Sequence, residues 1–399
     1  MYLLLLISSG YVASSHSMEQ EDVLELELQK FPRELRETIL KMFFESTFGT
    51  NFEPLKEIIT GKTLVSAAVS PDRETVVLAS SDGKASVWDI KKGEFLKELV
   101  GHTGNVLCVA FSYDGKFILT GSADKTARVW DIKSGIQLQR FLTRAEVLTV
   151  AWSPNGKAIL AGLGNGMIQL WESDTGKVLY ENIKPGVLYE RDLPSVVTFS
   201  PNGKWMAIGF HNRTTDCRES ETGKLRYSFV SMGSVYALSF SPDSKSLSIG
   251  ASFKGMGGGP VKGVVHVGDI ESGKELGELK NPFGRVLATS FSSEGEFLFT
   301  GVSNGIVAVW NMATGKMLRV IKVKPKTGVL KVALSSDEET LITVSKDGTI
   351  IQWGVSWDPA QWFKGLTPSA REAALLVFVT KLYQLLAGGK NTELKEESL

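Results

Sequence analysis

From residue 53 onward the chain alternates apolar and polar positions in short runs, each closed by a cluster of Gly, Asp, Asn or Ser. The clearest copy is Gly101 to Asp131, GHTGNVLCVAFSYDGKFILTGSADKTARVWD. It holds a strand through Val109 and Phe111, a Tyr-Asp-Gly-Lys turn, a second strand from Phe117 to Gly121, a turn at Asp124 and a third strand ending at Trp130-Asp131. Period-2 alternation gives each strand two distinct faces, and the Gly, Asp and Asn clusters supply the positive-φ residues that tight hairpins need. One such sheet cannot bury both faces alone. It must stack against copies of itself, so the unit has to recur.

Aligned on the third-strand Trp, the unit recurs at Trp88, Trp130, Trp171, Arg218, Gly268, Trp310 and Trp353, and a Gly follows five residues after each of the first six. It resembles the Trp-Asp (WD) repeat. That resemblance implies an all-β, seven-bladed WD-repeat β-propeller over residues 53–356, with short N- and C-terminal helical appendages. Two blades depart from the pattern. Blade four has Arg218 for Trp and an insertion from Glu181 to Leu193; blade five has Gly268 for Trp and an extra glycine-rich segment, Phe253 to Lys262, between its second and third strands. Residues Glu53 to Thr60 parallel Glu94 to Gly101, an outer strand leading into the next blade, and no outer strand follows Trp353. The N-terminal strand is therefore expected to complete the seventh blade and close the ring.

Outside the repeats, residues 1–18 read either as an export signal, apolar from Tyr2 to Ile7 but without a leading Lys or Arg, or as a start without structure. Location follows that choice: exported, or cytoplasmic. Residues 19–50 hold an amphipathic helix with Phe31, Leu35, Ile39 and Phe43 on one face, and Phe31 to Leu40 is similar to the opening helix of F-box motifs. A linker and apolar helix occupy 357–389, with Thr367-Pro368 at the helix start and Gly388-Gly389 at its end, and 390–399 is a charged, disordered tail.

Charge excludes one class of partner. With 44 basic and 44 acidic residues the formal net charge is zero, so no nucleic-acid partner is expected. No run reaches the ~18 apolar residues of a spanning helix, so stable membrane insertion is not expected either. The two cysteines, Cys108 and Cys217, sit on different blades as small core residues and form no disulfide framework.

Catalytic motifs fail on spacing. Gly61-Lys62-Thr63 lacks the earlier glycine of a phosphate loop, Gly255 to Pro260 lacks the third glycine of a dinucleotide fingerprint, and His16, His102, His211 and His266 show no metal-ligand spacing. Neither metal nor cofactor is expected. His102, Asp124 and Trp130, with Ser122 or Thr120, form the one relay-like group, which the WD resemblance implies is a structural hydrogen-bond network. The resemblance further implies a non-catalytic, monomeric scaffold for protein binding. The alternatives are an F-box-like substrate receptor of a ubiquitin ligase and a propeller enzyme or quinone-cofactor binder, the latter suggested by the Thr-Gly-Lys turns at Thr175 and Thr222.

Propellers of this kind gather the loops entering the first strands and the turns between second and third strands on one face. The residues expected there are Thr103, Asn105, Arg144, Glu146, Arg191, His211, Met232, Phe253, Lys254, Met256, Phe283, Arg285, Lys326 and Lys346. This arc is basic with apolar anchors and is expected to bind an acidic segment of a protein partner. The opposite turns, at Asp72, Asp114, Asp243, Glu294, Asp337 and Glu338, lean acidic.

Overall fold

A computed structural model describes residues 50–183, 193–254, 261–335 and 337–357. The F-box-like helix, both helical appendages, the charged tail, Arg191 and Met256 lie outside the described residues. Within them are 28 strands in seven four-stranded sheets, and Glu53–Gly354 forms one compact unit. Six sheets are simple meanders of consecutive antiparallel strands. The seventh has the order β1-β28-β27-β26, where β1 is Thr50–Ile59, β26 Val329–Leu334, β27 Thr340–Ser345 and β28 Thr349–Trp357. The start of the chain thus supplies the outer strand of the last blade, as the repeat pattern predicted. Thr60 N donates to Gly348 O at 3.1 Å and Leu64 N to Lys346 O at 2.7 Å, joining blades one and seven.

The core lies between blades rather than within any one of them. Cys108, Leu119, Ala127 and Val129 of blade two pack with Val147, Trp152, Ile159 and Trp171 of blade three, and Ile58 of β1 packs with Leu64, Leu78, Ile342 and Ile350 across the closing seam. Alternation follows directly: one face of each sheet meets the preceding blade and the other the following one. Close approach explains one repeated glycine. A Cβ on Gly121 would lie 2.5 Å from a Val147 methyl, and one on Gly209 2.6 Å from a Val235 methyl, each the buried start of the next blade's inner strand.

Two expectations about the irregular blades need correction. Glu181 is not part of an insertion; it lies in the outer strand of blade three, Val178–Ile183, opposite Gln169. The glycine-rich segment of blade five is not all loop, because its ends lengthen both strands: Ser246–Lys254 and Val261–Asp269 pair as far as Phe253 with Lys262 and Lys254 with Val261. Two extra paired rungs keep the backbone satisfied, which an unpaired insertion would not.

The missing tryptophans are replaced by other contacts. Arg218 donates to Tyr180 Oη at 2.9 Å, to Gly223 O at 3.1 Å and to Asp216 Oδ2 at 2.9 Å. At Gly268 the Phe229 ring takes the space, 2.6 Å from where a Cβ would stand.

Candidate functional site: the loop face and the blade-two network

The seven inner strands are Leu64–Val69, Val106–Phe111, Val147–Trp152, Pro194–Phe199, Ser234–Phe240, Val286–Phe291 and Val329–Leu334. Each is bulged near its start, at the second residue in six strands and the third in Ser234–Phe240, where the partner strand's register skips Val65, Leu107, Leu148, Ser195, Tyr236, Leu287 and Leu330. A bulge re-aims the side chain it carries. Here the result is a mostly apolar collar at the entry end of the inner strands, where Val65 is 42% exposed.

Strand direction puts the entry loops and the second-to-third-strand turns at this same end. Cross-blade bonds confirm the placement: Val106 N donates to Gly83 O, and Ser234 Oγ to His211 O at 2.8 Å. Of the expected contact residues, Thr103, Asn105, Arg144, Glu146, Met232, Arg285, Lys326 and Lys346 are exposed, and His211, Phe253 and Phe283 are partly buried. Lys254 falls in the lengthened strand of blade five. The arc is not a set of independent groups. The Arg285 guanidinium lies 5.8 Å from the Tyr236 ring centroid and the His211 imidazole 5.5 Å from it, so residues of blades four, five and six meet over one bulged tyrosine. Tyr236 is the member that sequence reading missed, because inner-strand alternation gives no sign of a bulge. Arg144 pairs loosely with Glu181 at 3.7 Å, an exposed contact worth little.

The relay-like group of blade two is assembled around Thr120. His102 Nδ1 lies 2.8 Å from Asp124 Oδ2, His102 Nε2 lies 2.7 Å from Thr120 Oγ1, and Trp130 Nε1 donates to the same hydroxyl at 2.8 Å. Because the indole can only donate, the hydroxyl proton is free to point at Nε2, which assigns the imidazole proton to Nδ1. Of the two hydroxyls, Thr120 meets the imidazole and the indole, while Ser122 Oγ joins the group through Asp124, accepting from Asp124 N at 3.1 Å and donating to Gly104 O at 3.0 Å. Thr120 is fully buried and its oxygen is engaged by an indole, so no substrate can reach it as it could a nucleophile.

Burial lowers the His102 pKa against the pull of Asp124. Burial alone would raise Asp124, but hydrogen bonds from Thr126, His102 and the Thr103 amide outweigh it and hold the carboxylate at about 2. Both groups therefore bind fewer protons folded than unfolded. Stability contributed by the network is complete above the ordinary imidazole pKa of about 6.5, and it is lost as pH falls, first through His102 and then, below about 4, through Asp124. Thermal melts between pH 7.5 and 5 should show a drop that His102→Gln flattens; an unchanged slope in that variant would refute the assignment.

The repeats also match known families. Residues 63–258 match the family described as the IFT122 first beta-propeller, and residues 273–311 and 315–354 match the WD domain, G-beta repeat. Together with the seven observed blades, these matches decide the family. The chain is a WD-repeat β-propeller. It is also similar to the WD repeat-containing protein 91 homolog of Dictyostelium discoideum, at 28% identity over 97 residues, covering 24% of this chain and 12% of that protein. WD-repeat propellers are generally non-enzymatic scaffolds that bind protein partners.

On the opposite face of this WD propeller the acidic character has a structural cause. Six of the seven turns between the first two strands begin with a buried or partly buried Ser whose hydroxyl donates to an Asp or Asn two residues on, among them Ser112 to Asp114 at 2.7 Å, Ser153 to Asn155 at 2.8 Å and Ser241 to Asp243 at 2.6 Å; blade six has Glu294 at that place. The same side-chain oxygens accept the amide two residues further on, as Asp114 does from Lys116 at 3.1 Å. These carboxylates are committed to shaping turns. In four of the seven turns the residue after the Asp, Asn or Glu is a glycine at positive φ; Arg73, Ser244 and Glu338 take the other three, at φ of 62°, 62° and 59°. Each of those three bonds the preceding blade: Arg73 Nε donates to Leu334 O at 3.0 Å, Asn202 N to Ser244 Oγ at 3.1 Å, and Ser293 N to Glu338 Oε1 at 3.0 Å.

Proposed function

We propose that this chain is a non-catalytic scaffold whose bulged loop face docks an acidic segment of a partner protein over blades three to seven. The observation that carries the reading is the Arg285–Tyr236–His211 group, an arginine meeting an aromatic anchor on the loop face whose blades also carry the exposed Met232, Arg144, Lys326 and Lys346. Arg and large aromatic or thioether groups are the composition that interface centres favour, and exposed cations speed the approach of an acidic partner.

The double substitution Arg144→Glu and Arg285→Glu is expected to abolish partner capture while moving thermal stability by less than about 1 kcal/mol, since it removes only a loose ion pair and a surface cation–π contact. Association should be faster at low salt. Capture that survives the double change, but fails when the opposite turns are altered, moves the site to the other face.

A further inference from the structure

Lys331 is the one charged side chain in the seven inner strands. It is the third residue of β26, directly after the Leu330 bulge and opposite Val344. The equivalent places in the other blades hold Ser66, Cys108, Thr149, Val196, Ala237 and Ala288, all neutral. Inner strands wall the central channel of a propeller, and Lys331 is partly buried in that wall. Among the described residues its ammonium has no hydrogen-bond or ion-pair partner. A second cation reaches the same strand across the seam: Arg73 of blade one sets its guanidinium on the carbonyl of Leu334, three residues along from Lys331.

Arg73 is held by two carbonyls, Nε on Leu334 O at 3.0 Å and Nη1 on Ser70 O at 3.0 Å, and among the described residues its Nη2 bonds nothing. Its sequence neighbour Asp72 attracts it, but Asp72 Oδ1 already accepts from the Ser70 hydroxyl and the Glu74 amide. Burial depresses the pKa of both cations, and in Lys331 the nearby arginine adds to the effect. Two like charges in a partly desolvated wall repel, and an unpaired buried charge is costly.

We infer that the channel at the seam between blades seven and one binds a small oxyanion, a phosphate or a carboxylate, through Lys331 and the free edge of Arg73. The site rests on other residues than the docking proposal and stands or falls independently of it. An anion there neutralises the charge of Lys331, unpaired among the described residues, and ties together the two blades that only ring closure brings into contact.

The test is thermal unfolding of the full chain in sodium phosphate or sodium acetate, each against sodium chloride at equal ionic strength. A saturable rise of about 2 °C in one of the oxyanions is expected; which salt produces it says whether the site takes a phosphate or a carboxylate. Lys331→Met should lose the rise, and in chloride it should melt no lower than the parent. An equal response in Lys331→Met reduces the effect to general salting and overturns the site, as does the absence of any response in the parent. If the methionine variant does not fold, Lys331→Gln and broadening of the phosphate ³¹P resonance by the unmodified protein give the same decision.

Discussion

Deleting residues 1–62 is expected to abolish the single cooperative melting transition and to drive the protein into aggregates visible by light scattering. β28 would become an unpaired edge, and the blade-seven core would lose Ile58, which is only 7% exposed and packs with Ile342 and Ile350. The hydrogen bond from Thr60 N to Gly348 O goes with it. A gentler variant separates closure from mere truncation: Ile58→Ala should cost about 2–5 kcal/mol by opening a cavity at the seam while leaving the strand in place. A truncated chain that melts like the full one would show that the ring does not depend on its first strand.

The second large effect is expected at Trp130. Its side chain is 1% exposed and its indole donates to the hydroxyl that also meets His102, so Trp130→Ala should lower stability by about 3–5 kcal/mol, in chemical denaturation as in melting. Asp124→Ala should also destabilise, because it strips the partners of His102, the Thr103 amide and Arg128 at once. Lys116→Ala, on an exposed turn with a 3.5 Å contact to Asp114, should stay within about 0.5 kcal/mol. Equal losses at all three positions would mean that the repeat has been misaligned.

Blade number, strand order and closure were legible in the sequence because each follows from local pattern. A two-residue alternation, a turn signal and a Trp at fixed offset specify one sheet, and the likeness of residues 53–60 to 94–101 reveals the displaced strand. What escaped was set by contacts between repeats. Nothing in the local pattern says that Tyr236 sits on a bulge beneath Arg285, or that Phe229 of one blade fills the space left by Gly268 in the next. The acidic turns were read as surface charge for the opposite reason: the Ser-x-Asp spacing was on view, but its carboxylates belong to the backbone of their own turns. For the candidate docking face, the sequence supplied the positions and the structure supplied their grouping.

The strand that closes the ring has a consequence for how the protein is made. Residues 50–59 leave the ribosome well before the strand they pair with, residues 349–357, which comes some 290 positions later. At synthesis rates of about 5–20 residues per second, the early strand waits roughly 15–60 s for its partner. Six blades can form meanwhile from neighbours in sequence, but the stacking of blade one on blade seven cannot. During that interval the nascent chain carries an open strand ahead of blade one and an uncovered apolar blade face, including Leu64, Leu78 and Ile90, which the finished ring buries. Both are templates for pairing with another nascent copy, so on a crowded polysome the same clasp that secures the ring becomes a route to exchange of the closing strand between two chains.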